Sequence, residues 1–242
     1  MLCVGGPRAV AAGEAGSETF AGIVELFTSQ GCANCPPADA LLSDYARRDG
    51  VIALSYHVDY WDYIGWKDTL ATRQNAERQR AYGKTFKAGA MVTPQIIVNG
   101  MAQVDGADAA AVEATLSKPH PETHARVKLS QSGGTLRVVA KSEATHAGEA
   151  APVLMLVTYR DETLTSVARG ANEGRHLRNT NVVLDWRVLG TAGEKRVEIE
   201  LPVSTLTVSD EGRTGCAAFL QTVRADGAPG PIIAGAMLSI EP

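Results

Sequence analysis

The pattern of apolar positions in the first half of the chain predicts short buried strands separated by helices. GIVELFT at 22–28 and VIALSYHV at 51–58 are apolar runs bounded by turn residues, which is typical of buried strands. TPQIIVN at 93–99 has the same character and predicts a third strand. The Asn99-Gly100 dipeptide is a strong hairpin signal, so we expect a fourth strand at 101–104 to run back beside the third.

Three helices are expected between and after these strands. Pro36 and Pro37 open the first, because first-turn amides have no acceptor within a helix and proline loses no hydrogen bond there. Apolar residues then recur at helical spacing until Gly50 ends the segment. The other two helices are predicted at about 68–82 and at 108–116. The order β-α-β-α-β-β-α predicts a central mixed sheet with helices on both faces.

From Lys118 onward the pattern predicts strands alone. The segment 118–121 (KPHP) is typical of a linker, and beyond it Gly, Pro, Asp and Asn separate apolar runs that show no helical period. Strands are expected at 124–129, 136–142, 153–159, 182–189, 196–201, 215–223 and 232–240. The sequence therefore predicts an α/β domain over residues 20–118 and an all-β, sandwich-like domain over residues 122–242.

Residues 1–19 are expected to lie outside both domains. They are rich in alanine and glycine, without a basic start or a continuous apolar run. Sites similar to Ala-x-Ala favour the remnant of a signal peptide whose front half is missing, and a flexible N-terminal segment is the alternative. A signal peptide predicts a periplasmic or secreted protein, where disulfides persist. Cys3 lies in this segment without a lipidation motif and is given no chemical role.

Composition and charge argue against nucleic acid as a partner and against a transmembrane segment. The 242 residues are 45% hydrophobic and 21% charged, as in ordinary globular proteins, and carry a net charge of −4. No long basic run is present, so nucleic acid is not expected as a partner. No stretch approaches the roughly 18 apolar residues of a membrane-spanning helix, so no transmembrane segment is expected.

The pair Cys32 and Cys35 carries the chemistry that we expect of this chain. In the segment Cys-Ala-Asn-Cys the two thiols lie where a buried strand leads into a helix. The positive end of the helix dipole and unpaired amides favour a thiolate there over a thiol with a pKa of about 8.5. Cys32 is therefore predicted to be the nucleophile, and Cys35 the resolving thiol that opens the mixed disulfide. Half of a zinc site is the alternative, but no second cysteine pair exists to complete it.

Three further residues are candidates for assisting the dithiol. Pro94 follows Thr93 at the start of a strand, and together with Cys32 and Cys35 it resembles the cis-proline of the thioredoxin superfamily. That resemblance implies that Thr93 and Pro94 align an extended substrate segment, whereas the alternative is an ordinary strand-start proline in trans. Glu25, within the first strand, could exchange protons with Cys35 if it is buried, or could be an exposed or salt-bridged glutamate.

The loop at 56–66 is crowded with aromatic residues and is expected to leave the second strand beside the dithiol. His57, Asp59, Trp61 and Trp66 are its candidate binding residues. Trp61 and Trp66 could form an apolar platform for a peptide, or could fill a small core beneath the loop. His57 could supply a proton or a metal ligand, or could be a histidine with its hydrogen bonds satisfied.

Several longer motifs resemble one known family. VELFTSQGCANCPPADALL, YHVDYWDYIGWKD, RQRAY and TPQIIVNG in the first half, and GRHLRNTNVV in the second, are similar to an uncharacterised bacterial family of exported thioredoxin-like proteins that is catalogued as a domain of unknown function. The resemblance implies a thioredoxin-like fold for residues 20–118 and export, but no substrate. Gly31 replaces the tryptophan that precedes the first cysteine of thioredoxin, and Ala33-Asn34 replaces Gly-Pro, so the direction of electron flow stays open.

Together these features predict a thiol–disulfide oxidoreductase that acts on a protein substrate or redox partner. The redox-active disulfide Cys32–Cys35 would work without a cofactor and without a metal. Two alternatives use the same residues. One is a copper-handling protein in which Cys32, Cys35 and His57 hold Cu(I), and the other is a thioredoxin-fold binding module without catalysis, whose working face is Trp61 and Trp66.

Two features of the second half are given structural roles. Cys216 lies in an apolar strand and is expected to be an inert buried thiol. The polar loop at 170–183 groups Arg175, His176 and Arg178, and a solvated hairpin is preferred there over a site for an acidic group.

Overall fold

Strands make up most of the regular structure. The computed structural model describes residues 13–118, 124–143, 150–206 and 211–241. Its strands are β1 (Gly13–Gly16), β2 (Gly22–Thr28), β3 (Val51–His57), β4 (Gln95–Val98), β5 (Ala102–Asp105), β6 (Arg126–Ser132), β7 (Thr135–Lys141), β8 (Val153–Ser166), β9 (His176–Thr191), β10 (Val197–Pro202), β11 (Thr214–Val223) and β12 (Pro229–Ile240). Its α-helices are α1 (Pro36–Tyr45), α2 (Arg73–Phe86) and α3 (Ala109–Leu116). Within the described residues, no helix has both the length and the apolar character needed to cross a membrane.

The predicted elements of the first half are present. β2 and β3 occupy the two apolar runs, and α1 begins with both prolines in its first turn. α2 starts later than predicted, at Arg73, because the Thr72 hydroxyl accepts a hydrogen bond from the Asn75 amide and caps the helix there. Asn99 and Gly100 have φ angles of 54° and 63°, as the predicted tight turn between β4 and β5 requires.

The strands form two sheets. The larger one has eight strands in the order β12-β11-β8-β9-β3-β2-β4-β5. It is mixed, because β3 runs parallel to both β2 and β9 whereas the other neighbours are antiparallel. The smaller sheet is antiparallel, in the order β1-β6-β7-β10. A mixed, strand-rich architecture with few helices is thereby confirmed.

The two halves of the chain share the larger sheet. β9, from the second half, lies beside β3, from the first, and the two strands pair at Ser55 and Val182. The side-chain amide of Asn181 donates to the Ala53 carbonyl at 2.9 Å and reinforces this contact. The predicted division into residues 20–118 and 122–242 therefore does not separate two sheets, since one sheet runs through both ranges.

Three strand segments are absent from the sequence prediction. β8 continues to Ser166 and β9 starts at His176, well beyond the predicted 153–159 and 182–189, so the two strands form a long polar hairpin. β1 pairs with β6, and a flexible segment reaching to residue 19 is therefore not what the structure shows. These segments contain few apolar residues, which is why apolar periodicity does not reveal them.

Three apolar cores hold the layers together. One lies between the two sheets, where β6 and β7 face β8, β11 and β12. The second lies between the larger sheet and α2, and it includes the rings of Phe27, Tyr56, Tyr82 and Phe219. The third lies on the other face of β2, β3 and β4, against α1 and α3. Helices therefore cover both faces of the first-half strands, as predicted.

A buried ion pair lies within the second core. Arg78 of α2 donates from Nε to Glu25 of β2 at 2.7 Å, and both side chains are almost completely buried. Tyr82 donates its hydroxyl to the other Glu25 oxygen at 2.5 Å, and Arg78 also donates to Gln221 of β11 at 3.2 Å. The guanidinium lies 5.7 Å from the ring centre of Trp186 in β9. The pair therefore connects α2 to strands from both halves of the chain.

Replacing Arg78 by methionine would leave Glu25 charged and unpaired in this core. We expect Arg78→Met to lower the free energy of unfolding by about 3–5 kcal/mol, the usual effect of breaking a buried pair. The control is Arg73→Met, which removes the exposed Arg73–Glu77 pair of the same helix and should change stability little. Urea denaturation of both variants measures the difference, and an equally small effect of Arg78→Met would contradict the prediction.

Candidate functional site

The two candidate cysteines form a disulfide at the junction of β2 and α1. The Cα atoms of Cys32 and Cys35 are 5.4 Å apart. Cys35 is the N-cap of α1, and Pro36 and Pro37 follow it. Both cysteines are buried, with exposed fractions of 2% and 0%, whereas the two residues between them are exposed. The loop between the cysteines is therefore the part of the dithiol segment that is open to solvent.

The amides at the start of α1 are already engaged. Pro36 and Pro37 have no N–H, and the amides of Ala38 and Asp39 donate to the Cys35 carbonyl at 2.9 and 3.0 Å. The unpaired amides that the sequence predicts as stabilisers of a thiolate are therefore not supplied by these four residues. What remains is the dipole of α1, whose positive end lies at Cys35.

The Thr93–Pro94 segment lies beside Cys32. The peptide bond between Thr93 and Pro94 is cis, and the Thr93 carbonyl oxygen is 3.6 Å from the Sγ of Cys32. The indole N–H of Trp61 donates to the Thr93 hydroxyl at 2.7 Å. The structure thus brings Cys32, Thr93, Pro94 and Trp61 together, while the roles of these residues stay predictions.

Asn172, from the second half of the chain, fixes the loop that precedes Cys32. Its side-chain amide donates to the carbonyls of Gln30 and Cys32, both at 2.9 Å. The Gln30 side chain accepts from the indole of Trp66 at 2.9 Å and donates to the Thr165 hydroxyl of β8 at 3.1 Å. The end of the β8–β9 hairpin therefore packs on the dithiol loop, and the polar loop around it is not simply solvated as predicted.

The aromatic loop after β3 packs inward more than it faces solvent. Trp61 and Trp66 are half-buried, and both of their indole N–H groups are bonded within the protein. Asp59 is half-buried, and its carbonyl accepts from the Asp62 amide. Tyr63 differs from its neighbours, with an exposed fraction of 82%. This arrangement favours the small core beneath the loop over a wide apolar platform.

His57 forms a buried pair with Asp68 next to the dithiol loop. His57 Nδ1 is 2.8 Å from Asp68 Oδ2, and both side chains are fully buried. The same carboxylate oxygen accepts from the Gln30 amide at 2.8 Å. Burial lowers the pKa of His57, but the charge and hydrogen bond of Asp68 outweigh it and hold that pKa above its usual range. Burial raises the pKa of Asp68, but the charge and hydrogen bond of His57, together with hydrogen bonds from the Gln30 and Leu70 amides, hold that pKa below its usual range.

Asp39 is a buried acid that the sequence analysis does not single out. It lies one helical turn after Cys35, with an exposed fraction of 6%. Burial raises the pKa of Asp39 to about 7, against the opposing charge of His57 and with a further contribution from Asp68. A carboxyl group with this pKa can take up and release a proton near neutral pH.

Glu25 does not occupy the position of a proton relay for Cys35. It faces α2, on the opposite side of the sheet from α1, and its two oxygens accept from Arg78 and Tyr82. The salt-bridged alternative therefore describes Glu25, and the buried acid on α1 itself is Asp39.

The remaining candidates do not join the site. Cys216 is a buried free thiol in β11, and burial raises its pKa to about 12. His176 and Arg178 make exposed contacts within the β8–β9 hairpin, and Cys3 lies outside the described residues. Within the part of the chain that the structure describes, no group of three or more His, Cys, Asp or Glu side chains is arranged to hold a metal ion.

DUF1223, a protein family of unknown function, matches residues 23–221 of the chain. The chain belongs to this family. The DUF1223 match contains the dithiol, the His57–Asp68 pair and Asn172, so it spans both halves of the larger sheet.

Two solved structures resemble this member of the DUF1223 family. The crystal structure of an Agrobacterium tumefaciens protein is 32% identical, covers 91% of this chain and 95% of its own, and has a TM-score of 0.76. HBP35 of Porphyromonas gingivalis is 16% identical, covers 92% of this chain and 76% of its own, and has a TM-score of 0.61, which shows a likeness in fold alone. No curated protein matches the chain.

From the raised pKa of Asp39 we predict how the stability of the protein depends on pH. Below about pH 4 its carboxyl is protonated in the folded and the unfolded protein, and above about pH 7 it is ionised in both. Between these values only the unfolded chain releases the proton, so this group lowers stability as pH rises. Asp39→Asn should remove the effect, and its stability relative to the wild type should grow by about 3–4 kcal/mol from pH 4 to pH 8.

Denaturant unfolding of the oxidised protein at several pH values measures this change. Asp44→Asn is the matched control, because Asp44 lies on the same helix with an exposed side chain. A pH-independent difference between Asp39→Asn and the wild type would contradict the prediction.

Proposed function

We propose that this chain is a thiol–disulfide oxidoreductase on a thioredoxin-like scaffold, and that it exchanges disulfides with a protein outside the cytoplasm. The observation that supports this most is the disulfide at the start of α1, with the Thr93 carbonyl 3.6 Å from the Sγ of Cys32. An extended substrate segment placed there would find a main-chain acceptor next to the sulfur with which it reacts.

In the reducing direction, the Cys32 thiolate attacks one sulfur of a substrate disulfide, and the other substrate sulfur leaves as a thiolate. Cys35 then loses its proton and attacks the sulfur of Cys32. This step breaks the mixed disulfide and releases the second substrate thiolate. Two electrons pass from the dithiol to the substrate as the Cys32–Cys35 disulfide forms, and the oxidising direction is the same sequence in reverse.

Asp39 is the group that we propose for the proton of Cys35. It follows Cys35 by one helical turn, it is buried, and burial raises its pKa to about 7. General bases work best when their pKa lies close to the working pH. His57, whose charge lowers the pKa of Asp39, would stabilise the carboxylate when the proton has left Asp39.

The two alternatives have less support. In a copper-handling protein His57 would join Cys32 and Cys35, but within the described residues no group of three or more His, Cys, Asp or Glu side chains is arranged to hold a metal ion. In a binding module without catalysis Trp61 and Trp66 would present a face, but both are half-buried with their indole N–H groups bonded internally.

Cysteine variants test the proposal directly. The protein is first reduced with a dithiol reagent that is then removed, because attack requires the free Cys32 thiolate. A peptide whose cysteine carries a nitrothiobenzoate disulfide then reports the first exchange step, since attack by Cys32 releases the coloured thiolate. Cys32→Ser should slow this release by about a hundredfold or more, since the nucleophile is lost. Cys35→Ser should release nitrothiobenzoate but stop at the mixed disulfide between Cys32 and the peptide, which mass spectrometry detects.

Cys216→Ser is the control and should exchange at the wild-type rate, because the Cys216 thiol lies in the core between the two sheets and takes no part in the Cys32–Cys35 disulfide. If Cys32→Ser exchanged as fast as the wild-type protein, the proposed function would be wrong.

A further inference from the structure

A cavity lies between α2 and the chain that leads into Thr93. Its volume is about 340 Å³, at the lower end of the range for ligand sites. Its lining includes Gln79, Arg80, Gly83, Lys84, Met91 and Gln95. This volume suits side chains of a peptide rather than a folded surface.

The segment 92–95, which contains Thr93 and Pro94, connects the cavity with the candidate site. Gln79 donates from its side-chain amide to the Val92 carbonyl at 2.8 Å and to the Gln95 side chain at 2.9 Å. Val92 precedes Thr93, whose carbonyl is the one next to Cys32, and Gln95 follows Pro94. A polypeptide that runs along Thr93–Pro94 therefore passes the cavity within a few residues, at about 3.3 Å per residue when extended.

The cavity lining carries positive charge and contains no aspartate or glutamate, although Asp105 of β5 pairs with its Gln95 in the sheet. The segment 79–95 contains Arg80, Lys84 and Lys87 but no aspartate or glutamate. Arg80 and Lys84 are exposed and lie four residues apart on α2. Among the residues that the structure describes, neither is in an ion pair, although the chain as a whole is acidic.

Gly83 keeps one wall of the cavity open. Glycine inside a helix is less favourable than alanine, because it loses more backbone freedom on folding. Gly83 lies in the interior of α2, and a Cβ built on it would meet no atom within 4 Å. Packing therefore does not require a glycine here, and a larger side chain would extend into the cavity.

We propose that this cavity binds acidic side chains of the substrate polypeptide, through Arg80 and Lys84, while the substrate cysteine reacts at Cys32. The inference rests on the proposed function and names its substrate class: proteins with aspartate or glutamate within a few residues of the reacting cysteine. Ion pairs at an exposed site select among substrates more than they add affinity, so the effect is one of preference.

Two peptides that differ only in charge test this inference. Both carry one cysteine as a nitrothiobenzoate disulfide, and one has two glutamates near the cysteine where the other has two glutamines. With the protein reduced beforehand and the reductant removed, we expect the second-order rate constant of nitrothiobenzoate release to be about fivefold higher for the acidic peptide at low ionic strength, and the preference to shrink as salt screens the charges. Arg80→Glu combined with Lys84→Glu should reverse the preference.

A double variant with the same change in net charge is the control. Arg47→Glu combined with Arg73→Glu alters two exposed residues that do not line the cavity, and it should keep the wild-type preference. Gly83→Phe should fill the cavity and abolish the preference for the acidic peptide. Gly83→Ala, which adds little volume, should keep the preference, and circular dichroism confirms that each variant folds.

The outcomes separate this inference from the proposed function. Equal rates with both peptides in the wild-type protein at low salt would overturn the acidic substrate class and leave the oxidoreductase function intact. A preference that survives Arg80→Glu with Lys84→Glu would overturn the assignment to this cavity. Exchange with neither peptide, or exchange independent of Cys32, would overturn the proposed function and this inference together.

Discussion

The pairing of β9 with β3 is the contact on which the rest of the structure depends. It joins the two halves of the chain in one sheet at Ser55 and Val182. The β8–β9 hairpin also reaches the dithiol loop. Asn172 then holds the carbonyls on either side of Gly31, and Gln30 bonds to Thr165. The second half of the chain therefore contributes residues to the candidate site.

Buried charges lie on both faces of the larger sheet and differ in what they can do. On the α2 face, Glu25 and Arg78 are matched in charge, and Tyr82 and Gln221 also bond to them, so the pair is suited to holding strands and helix together. On the α1 face, His57 and Asp68 form a pair, and Asp39 adds a second carboxyl. An additional buried charge is unfavourable, which is why Asp39 retains its proton to about pH 7.

Apolar periodicity predicts the first half of the fold well. β2, β3 and the Asn99-Gly100 turn carry their own signals, since each is specified by neighbouring residues in the chain. The continuation of β8 and β9 contains few apolar residues, and the contact of β9 with β3 joins residues far apart in the chain, so apolar periodicity could predict neither.

Local sequence patterns likewise predict only part of the candidate site. The Cys-x-x-Cys spacing and the Thr-Pro dipeptide are local signals, and the structure brings the two together. Asn172 lies 140 residues from Cys32 in sequence, and nothing near Asn172 marks the contact. Asp39 is an acidic residue in the first turn of a helix, where such residues are common, and its burial beside His57 depends on the packing of α1 against the sheet.

The reduction potential of Cys32–Cys35, measured by equilibration with glutathione, tests the central claim most directly. A dithiol that exchanges with protein substrates should titrate reversibly as a two-electron couple, between about −270 mV for a reductant and about −120 mV for an oxidant. A purely structural disulfide lies below about −300 mV and resists the glutathione pool. We predict a value between about −270 and −120 mV, and a value below about −300 mV would contradict the proposed exchange with protein substrates.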